Sequence, residues 1–128
     1  MFNIDDYKVT TDAIEMKLMN PYHPEKETGA VIMVLSIDHK DVDAVAAKIR
    51  QRQVDMKNGK ESITLKDSEA MVLEQVSAMV VGWSGLGNKD GEEVKFDTKT
   101  IGEFLTENDW ITTQIMNFSC ERRNFTKA

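Results

Sequence analysis

The sequence predicts an α+β fold in one domain spanning 1–128. An N-terminal antiparallel β-hairpin occupies about 10–37, and three to four packed α-helices follow over about 38–125. Three observations predict it. Apolar and polar residues alternate near the start of the chain, which is strand periodicity. From residue 38 onward apolar residues recur at helical spacing. Strands and helices do not alternate along the chain, so a parallel nucleotide-binding sheet is excluded. A chain of 128 residues suits one domain that buries about two-thirds of its unfolded surface.

Each element follows from local signals. Ile14, Met16 and Leu18 alternate with Glu15, Lys17 and Met19, the period of a half-buried strand. Asn20 to Gly29 includes Pro21 and Pro24 and reads as the connection of the hairpin. Ala30 to Ile37, with Val31, Ile32 and Val34, reads as the second strand. A lone hairpin is barely stable, so its apolar face must pack on the helices. Ser36 or Asp38 is expected to cap the first helix, where Val42, Val45, Ala46 and Ile49 share a face. Lys48, Arg50 and Arg52 lie opposite, and Asn58-Gly59 closes the helix. Thr64 with Asp67 resembles a capping box. A second helix is expected from about Leu65 to Val81, with Val72, Val76, Met79, Val80 and Trp83 on one face. Gly82, Gly85 and Gly87 end it. Asn88 to Gly91 is a turn, and Glu92 to Phe96 a short extended piece. Asp97 or Thr98 caps a short helix with Ile101, Phe104 and Leu105. Asn108 caps the last helix, where Ile111, Ile115 and Phe118 share a face. Arg122 and Arg123 are placed in its last turn, where cations suit the helix dipole.

Composition narrows the function classes. With 41% apolar and 30% charged residues the chain is a globular protein. No apolar run approaches the ~18 residues of a membrane helix, so no membrane partner is expected. Asp5 and Asp6 stand where a secretory signal needs basic residues, which points to the cytoplasm. Cys120 is the single cysteine, which excludes an internal disulfide and a cysteine-based zinc site. A net charge of −6 argues against nonspecific nucleic-acid binding. The charge is uneven: residues 31–66 hold seven bases against five acids, and residues 67–112 hold three against ten. That pattern suits a solvated surface and can also steer a partner of complementary charge.

The chain is poor in catalytic groups. His23 and His39 have no second histidine or cysteine at ligand spacing and read as exposed polar residues. Cys120 reads as a buried structural thiol beside an apolar helix face. The glycine-rich run Gly82 to Gly87 ends a helix instead of opening one, so it is not a phosphate cradle. Asp38, Asp41 and Asp43 suit a helix N-terminus and lack the glycine and terminal glutamate of a calcium loop. No catalytic, cofactor-binding or metal-binding residue is assigned, and the chain is read as no enzyme. The competing enzyme reading rests on Asp90, Glu92 and Glu93 and requires a pocket with perturbed carboxylates. Eight methionines suit core filling or an adaptable binding surface. The chemistry points to holding a partner.

One order of motifs adds to this. Asn20-Pro21 closes a strand, Thr28-Gly29 ends the turn, and Val31 to Asp38 leads into an acid-capped helix ending in Arg50 to Gln53. Val80-Val81-Gly82-Trp83-Ser84-Gly85-Leu86 is followed by Asp90-Gly91 and Val94-Lys95-Phe96. Leu105 to Ile111, with Trp110 inside it, precedes a helix ending in Glu121 to Phe125. Over about residues 14–125 the chain resembles the tail assembly chaperones of long-tailed, lambda-like bacteriophages and their prophages. Asp109 departs from the pattern, since relatives tend to have proline before that tryptophan.

The resemblance implies a non-enzymatic protein of the host bacterial cytoplasm that is absent from the mature virion. It implies binding to the phage tape-measure protein. It also implies recruitment of tail-tube subunits through a longer form made by translational frameshifting. A homo-oligomer is expected, because several copies coat a long client better than one. The candidate partner-binding residues are Val72, Val76, Met79, Val80 and Trp83 on one stripe, Trp110, Ile111, Ile115 and Phe118 on another, and Arg122 and Arg123 in the basic segment that runs to Lys127. The alternative is a structural phage component, such as a head–tail connector or tail-completion subunit.

Overall fold

The computed structural model describes residues 1–126, so Lys127 at the end of the basic segment lies outside the described residues. A 3₁₀ turn, Ile4–Tyr7, precedes strands β1 (Ile14–Met19) and β2 (Glu27–Val34). Helices α1 (Lys40–Asn58) and α2 (Leu65–Met79) follow, then strand β3 (Val80–Ser84). Helices α3 (Ile101–Glu107) and α4 (Asp109–Cys120) and a 3₁₀ turn, Arg122–Phe125, are the last elements among the described residues. The sheet is antiparallel in the order β1-β2-β3. The α+β class with an N-terminal hairpin and four helices is therefore as the periodicities predict.

The hairpin forms for the expected reason. Met16 and Leu18 on β1, and Ile32 and Val34 on β2, face one side and are buried there. The connection is tighter than predicted. Asn20 donates its amide to the Lys26 carbonyl (2.8 Å), and its side chain accepts from the amides of Tyr22 and His23. Thr28 donates its hydroxyl to the Leu18 carbonyl (2.8 Å) beside a bulge, and Gly29 takes φ +87° there. Gly85, at φ +79°, passes so close that a Cβ would sit 2.9 Å from the Gly29 carbonyl oxygen.

The largest correction concerns residues 80–84. The second helix stops at Met79, and Val80–Ser84 is a strand instead of its last turn and cap. Two forces decide this. Val80, Val81 and Trp83 are β-branched or aromatic and favour a pleated surface. The open edge of β2 supplies backbone partners that a helix end would forgo. Val34 pairs with Val80 while Met33 pairs with Gly82, so the register shifts and Val81 is the extra residue of a bulge. The bulge puts Val80 and Trp83 on the same face although they are three apart. That spacing imitates a helix in the sequence.

The helices cover the side of the sheet where these residues point. Val76 and Met79 of α2, Leu105 of α3, and Ile111 and Ile115 of α4 are buried in one core with the strands and Phe125. α4 is tied to the sheet by side chains. The Gln114 amide donates to the Met19 carbonyl (2.9 Å) and accepts from the Met19 amide (3.0 Å). Buried Ser119 donates to the Leu35 carbonyl (2.8 Å), and its own carbonyl accepts from the Ile37 amide.

Helix ends differ from expectation in detail. His39 caps α1, its Nδ1 accepting from the Asp41 amide (3.0 Å), in place of Ser36 or Asp38. Ser36 instead accepts from the Asp38 amide in the turn before the helix. Thr64 and Asp67 form the reciprocal capping box. Neither α3 nor α4 has a side-chain cap. Asp97 accepts from the Lys99 amide, and Asn108 donates to the Phe104 carbonyl. Arg122 and Arg123 lie beyond α4, in the 3₁₀ turn. Residues 92–96 form one isolated bridge, Gly87 with Glu93, and no strand. Cys120 is exposed, not buried as the sequence suggested, because it points away from the side of α4 that Ser119 buries.

Candidate partner-binding site

The two apolar stripes converge, because α2 packs on α3 and α4. Val76, Met79, Val80, Ile111 and Ile115 are buried in the chain's own core. Trp83, Trp110 and Phe118 are half-buried against it. Trp83 donates its indole N–H to the Val94 carbonyl (2.8 Å) and packs between Phe96 and Phe104. Phe118 meets Phe125 edge to face. Val72 is 46% exposed. Arg122 is exposed and pairs with Asp38 (3.3 Å), and Arg123 pairs with Glu121 (3.1 Å).

Val72 marks a groove that the sequence did not outline as a unit. The groove lies between α2 and the α3–α4 corner and measures about 570 Å³. Its inner side is apolar, formed by half-buried Leu73 and fully buried Leu105. Leu65, 77% exposed, and Val72 stand on its α2 side, seven residues and two helical turns apart. Glu69 between them and Asp109 across the groove are exposed acids, and neither has an ion-pair partner among the described residues. The signal for it in the sequence is the spacing of Leu65, Glu69 and Val72 at i, i+4 and i+7.

The exposed pair Leu65 and Val72 extends the groove's apolar surface along two turns of α2. The acids on its rim favour a positively charged neighbour over a negative one.

The groups singled out for other chemistry lie elsewhere. Asp90, Glu92 and Glu93 are exposed on a turn ordered by the Asn88 side chain, which accepts from the amides of Asp90 and Glu92. Among the described residues, no three His, Cys, Asp or Glu side chains are grouped to hold a metal ion. Two carboxylates are held below their ordinary pKa. Asp67 is lowered by the hydrogen bond from the Thr64 amide, then by the Thr64 side chain and Lys66. Glu121 is lowered by hydrogen bonds from the Arg123 side chain and backbone, and by its charge. Both stabilise local turns. No helix among the described residues is long and apolar enough to cross a membrane.

The model of the YdaY prophage protein family matches residues 37–128. No curated protein and no solved structure matches the chain. The matched span begins after β2 and contains α2, α3 and α4, the elements that build the groove. Matched over well more than half its length, the chain belongs to the YdaY prophage protein family.

Proposed function

We propose that this prophage protein is a tail assembly chaperone. It binds the tape-measure protein, keeps it soluble and helps recruit tail-tube subunits, without catalysing a reaction. The observation behind this reading is the α2–α3–α4 groove, apolar inside and acidic at its rim, within the span that matches a prophage family. A long helical client offers repeated amphipathic surfaces, and such a groove covers one of them at a time. Several copies along one client add avidity, which favours a homo-oligomer. The tail-tube subunits are recruited through a longer frameshifted form. The protein works in the host cytoplasm and leaves before the virion is complete.

The test is a pull-down with a tag on this chain after prophage induction, with bands identified by mass spectrometry and compared with purified virions. A very long helical protein and tube subunits in the pull-down, with the chain missing from virions, support the reading. Leu65→Asp with Val72→Asp should abolish capture of the long protein while the variant stays folded, because both positions are exposed. Presence in virions at fixed stoichiometry would make the chain a structural component, such as a head–tail connector or tail-completion subunit.

A further inference from the structure

Residues 1–7 present large apolar side chains to solvent. Met1, Phe2, Ile4 and Tyr7 are all exposed, Phe2 at 74% and Ile4 at 72%. The segment is ordered without burying any residue: Asn3 caps the turn Ile4–Tyr7, and Phe2 stacks on Tyr7 with centroids 4.9 Å apart. Asp5 and Asp6 lie in the same turn, and of these Asp5 pairs with Lys8. The base of the segment is fixed, since Thr10 donates its amide to the Phe125 carbonyl (2.8 Å) and Val9 packs against the core.

A surface of opposite character lies on the far half of α1. Residues 48–61 hold five bases against two acids, in a chain of net charge −6. There α1 and the loop after it border a shallow, open groove of about 640 Å³. Exposed Val54 and Ile63 supply its apolar surface, and Arg50 and Lys57 its positive charge, with Glu61 the one acid of the lining. Arg50 and Lys57 have no ion-pair partner among the described residues, whereas Arg52 is engaged by Glu74. Val54 lies fourteen residues beyond Lys40, about 21 Å along the helix. The segment is rooted towards the other end of α1, beside Phe125, and the Arg122–Asp38 pair joins that turn to the α1 start.

We propose that residues 1–7 of one copy dock into the Arg50–Ile63 groove of a second copy. Phe2 and Ile4 cover Val54 and Ile63, and Asp5 and Asp6 face Arg50 and Lys57. Two such contacts related by a two-fold axis close a dimer. The contact uses neither the α2–α3–α4 groove nor a client, so it stands or falls apart from the chaperone reading.

Sedimentation velocity of the full chain over a concentration series tests it. The unaltered chain should show a monomer–dimer equilibrium. Phe2→Ser with Ile4→Ser should weaken the dimer by about tenfold or more, with unchanged circular dichroism because both positions are exposed. Two charge-reversed variants, one with Asp5→Lys and Asp6→Lys, the other with Arg50→Glu and Lys57→Glu, should each be monomeric alone. Mixed together, they should form a heterodimer, since each segment then meets a groove of opposite charge. The proposal is overturned if the unaltered chain stays monomeric. It is also overturned if either reversal leaves association unchanged, or if the mixture fails to pair, as it would if the segment folded onto its own groove or met only a client.

Discussion

The longer helix of this protein is the less anchored one. α1 has 19 residues and buries two, Val42 and Ile49. α4 has 12 and buries Ile111, Ile115 and Ser119. α4 is also held to the strand side by buried or half-buried hydrogen bonds from Gln114 and Ser119. α1 meets α2 beyond its first turns through the exposed Arg52–Glu74 pair and a contact from the Gln53 amide to the Met71 sulfur (3.5 Å). Length therefore says little about anchoring. α4 is the structural helix, and the outer half of α1 is a surface.

The contrast is broken most directly by truncating one side chain on each helix. Ile115→Ala removes a fully buried side chain at the centre of the core and should cost about 2–5 kcal/mol. Val54→Ala, on the exposed side of α1, should stay within about 0.5 kcal/mol. Urea unfolding of the two variants checks this. Similar losses would mean that α1 packs more tightly than its exposure indicates.

The next effect concerns the polar tie of α4. Ser119→Ala leaves the Leu35 carbonyl without its buried donor and should cost about 1–3 kcal/mol, with no change in the slope of the denaturation curve. A loss near zero would place that carbonyl within reach of water, and the tie would then be no stronger than those of α1.

Most of this architecture is legible in the sequence, and the illegible parts have specific causes. The alternation of Met16 and Leu18 with charged neighbours marks β1 plainly. The Thr64–Asp67 cap is equally plain, because both partners are local. β3 is hidden, since the bulge at Val81 gives Val80 and Trp83 a helical spacing on an extended strand. The cap of α1 is hidden by competition: Ser36, Asp38 and His39 all have suitable acceptors, and chain geometry selects His39. The groove is partly legible. Val72 is the member of its stripe that reaches the surface, while Val76 and Met79 turn inward. Periodicity gives the direction of a stripe but not the depth at which the neighbouring helix ends. Leu65 at the helix start gains its place only when α3 and α4 close the other side.

A smaller effect lies at the junction between α1 and α2. Thr64→Ala removes half of the capping box and should cost about 1 kcal/mol. Its pH dependence sharpens the test. The folded state holds the Asp67 carboxyl below its unfolded value, so its stabilising effect is fully present above the ordinary carboxylate range. That effect is lost as pH falls through the lowered folded value. Thr64→Ala keeps the Thr64 amide that is the first cause of the lowering, and removes the hydroxyl that accepts from the Asp67 amide, so most of its cost should persist in acid. Asp67→Asn removes the charge, so it should differ from the unaltered chain at neutral pH and converge with it in acid. An Asp67→Asn difference that persists in acid would assign the effect to something other than the carboxylate's charge.

The smallest effect expected is that of the Arg52–Glu74 pair, and it decides how α1 is held. Both side chains are about half exposed, so the pair is screened by salt and should contribute under about 1 kcal/mol. A double-mutant cycle with Arg52→Ala and Glu74→Ala, measured at low and high salt, isolates the coupling from the loss of either side chain's packing. A small coupling that vanishes at high salt leaves the outer half of α1 resting on Ile49 and little else. Amide exchange from Val54 to Asn58 should then be faster than from Ile115 to Phe118. A coupling several times larger that survives salt would mean that the pair is desolvated. α1 would then be fixed to α2 along its length, and its outer half would form a rigid wall for whatever occupies the groove between Arg50 and Ile63.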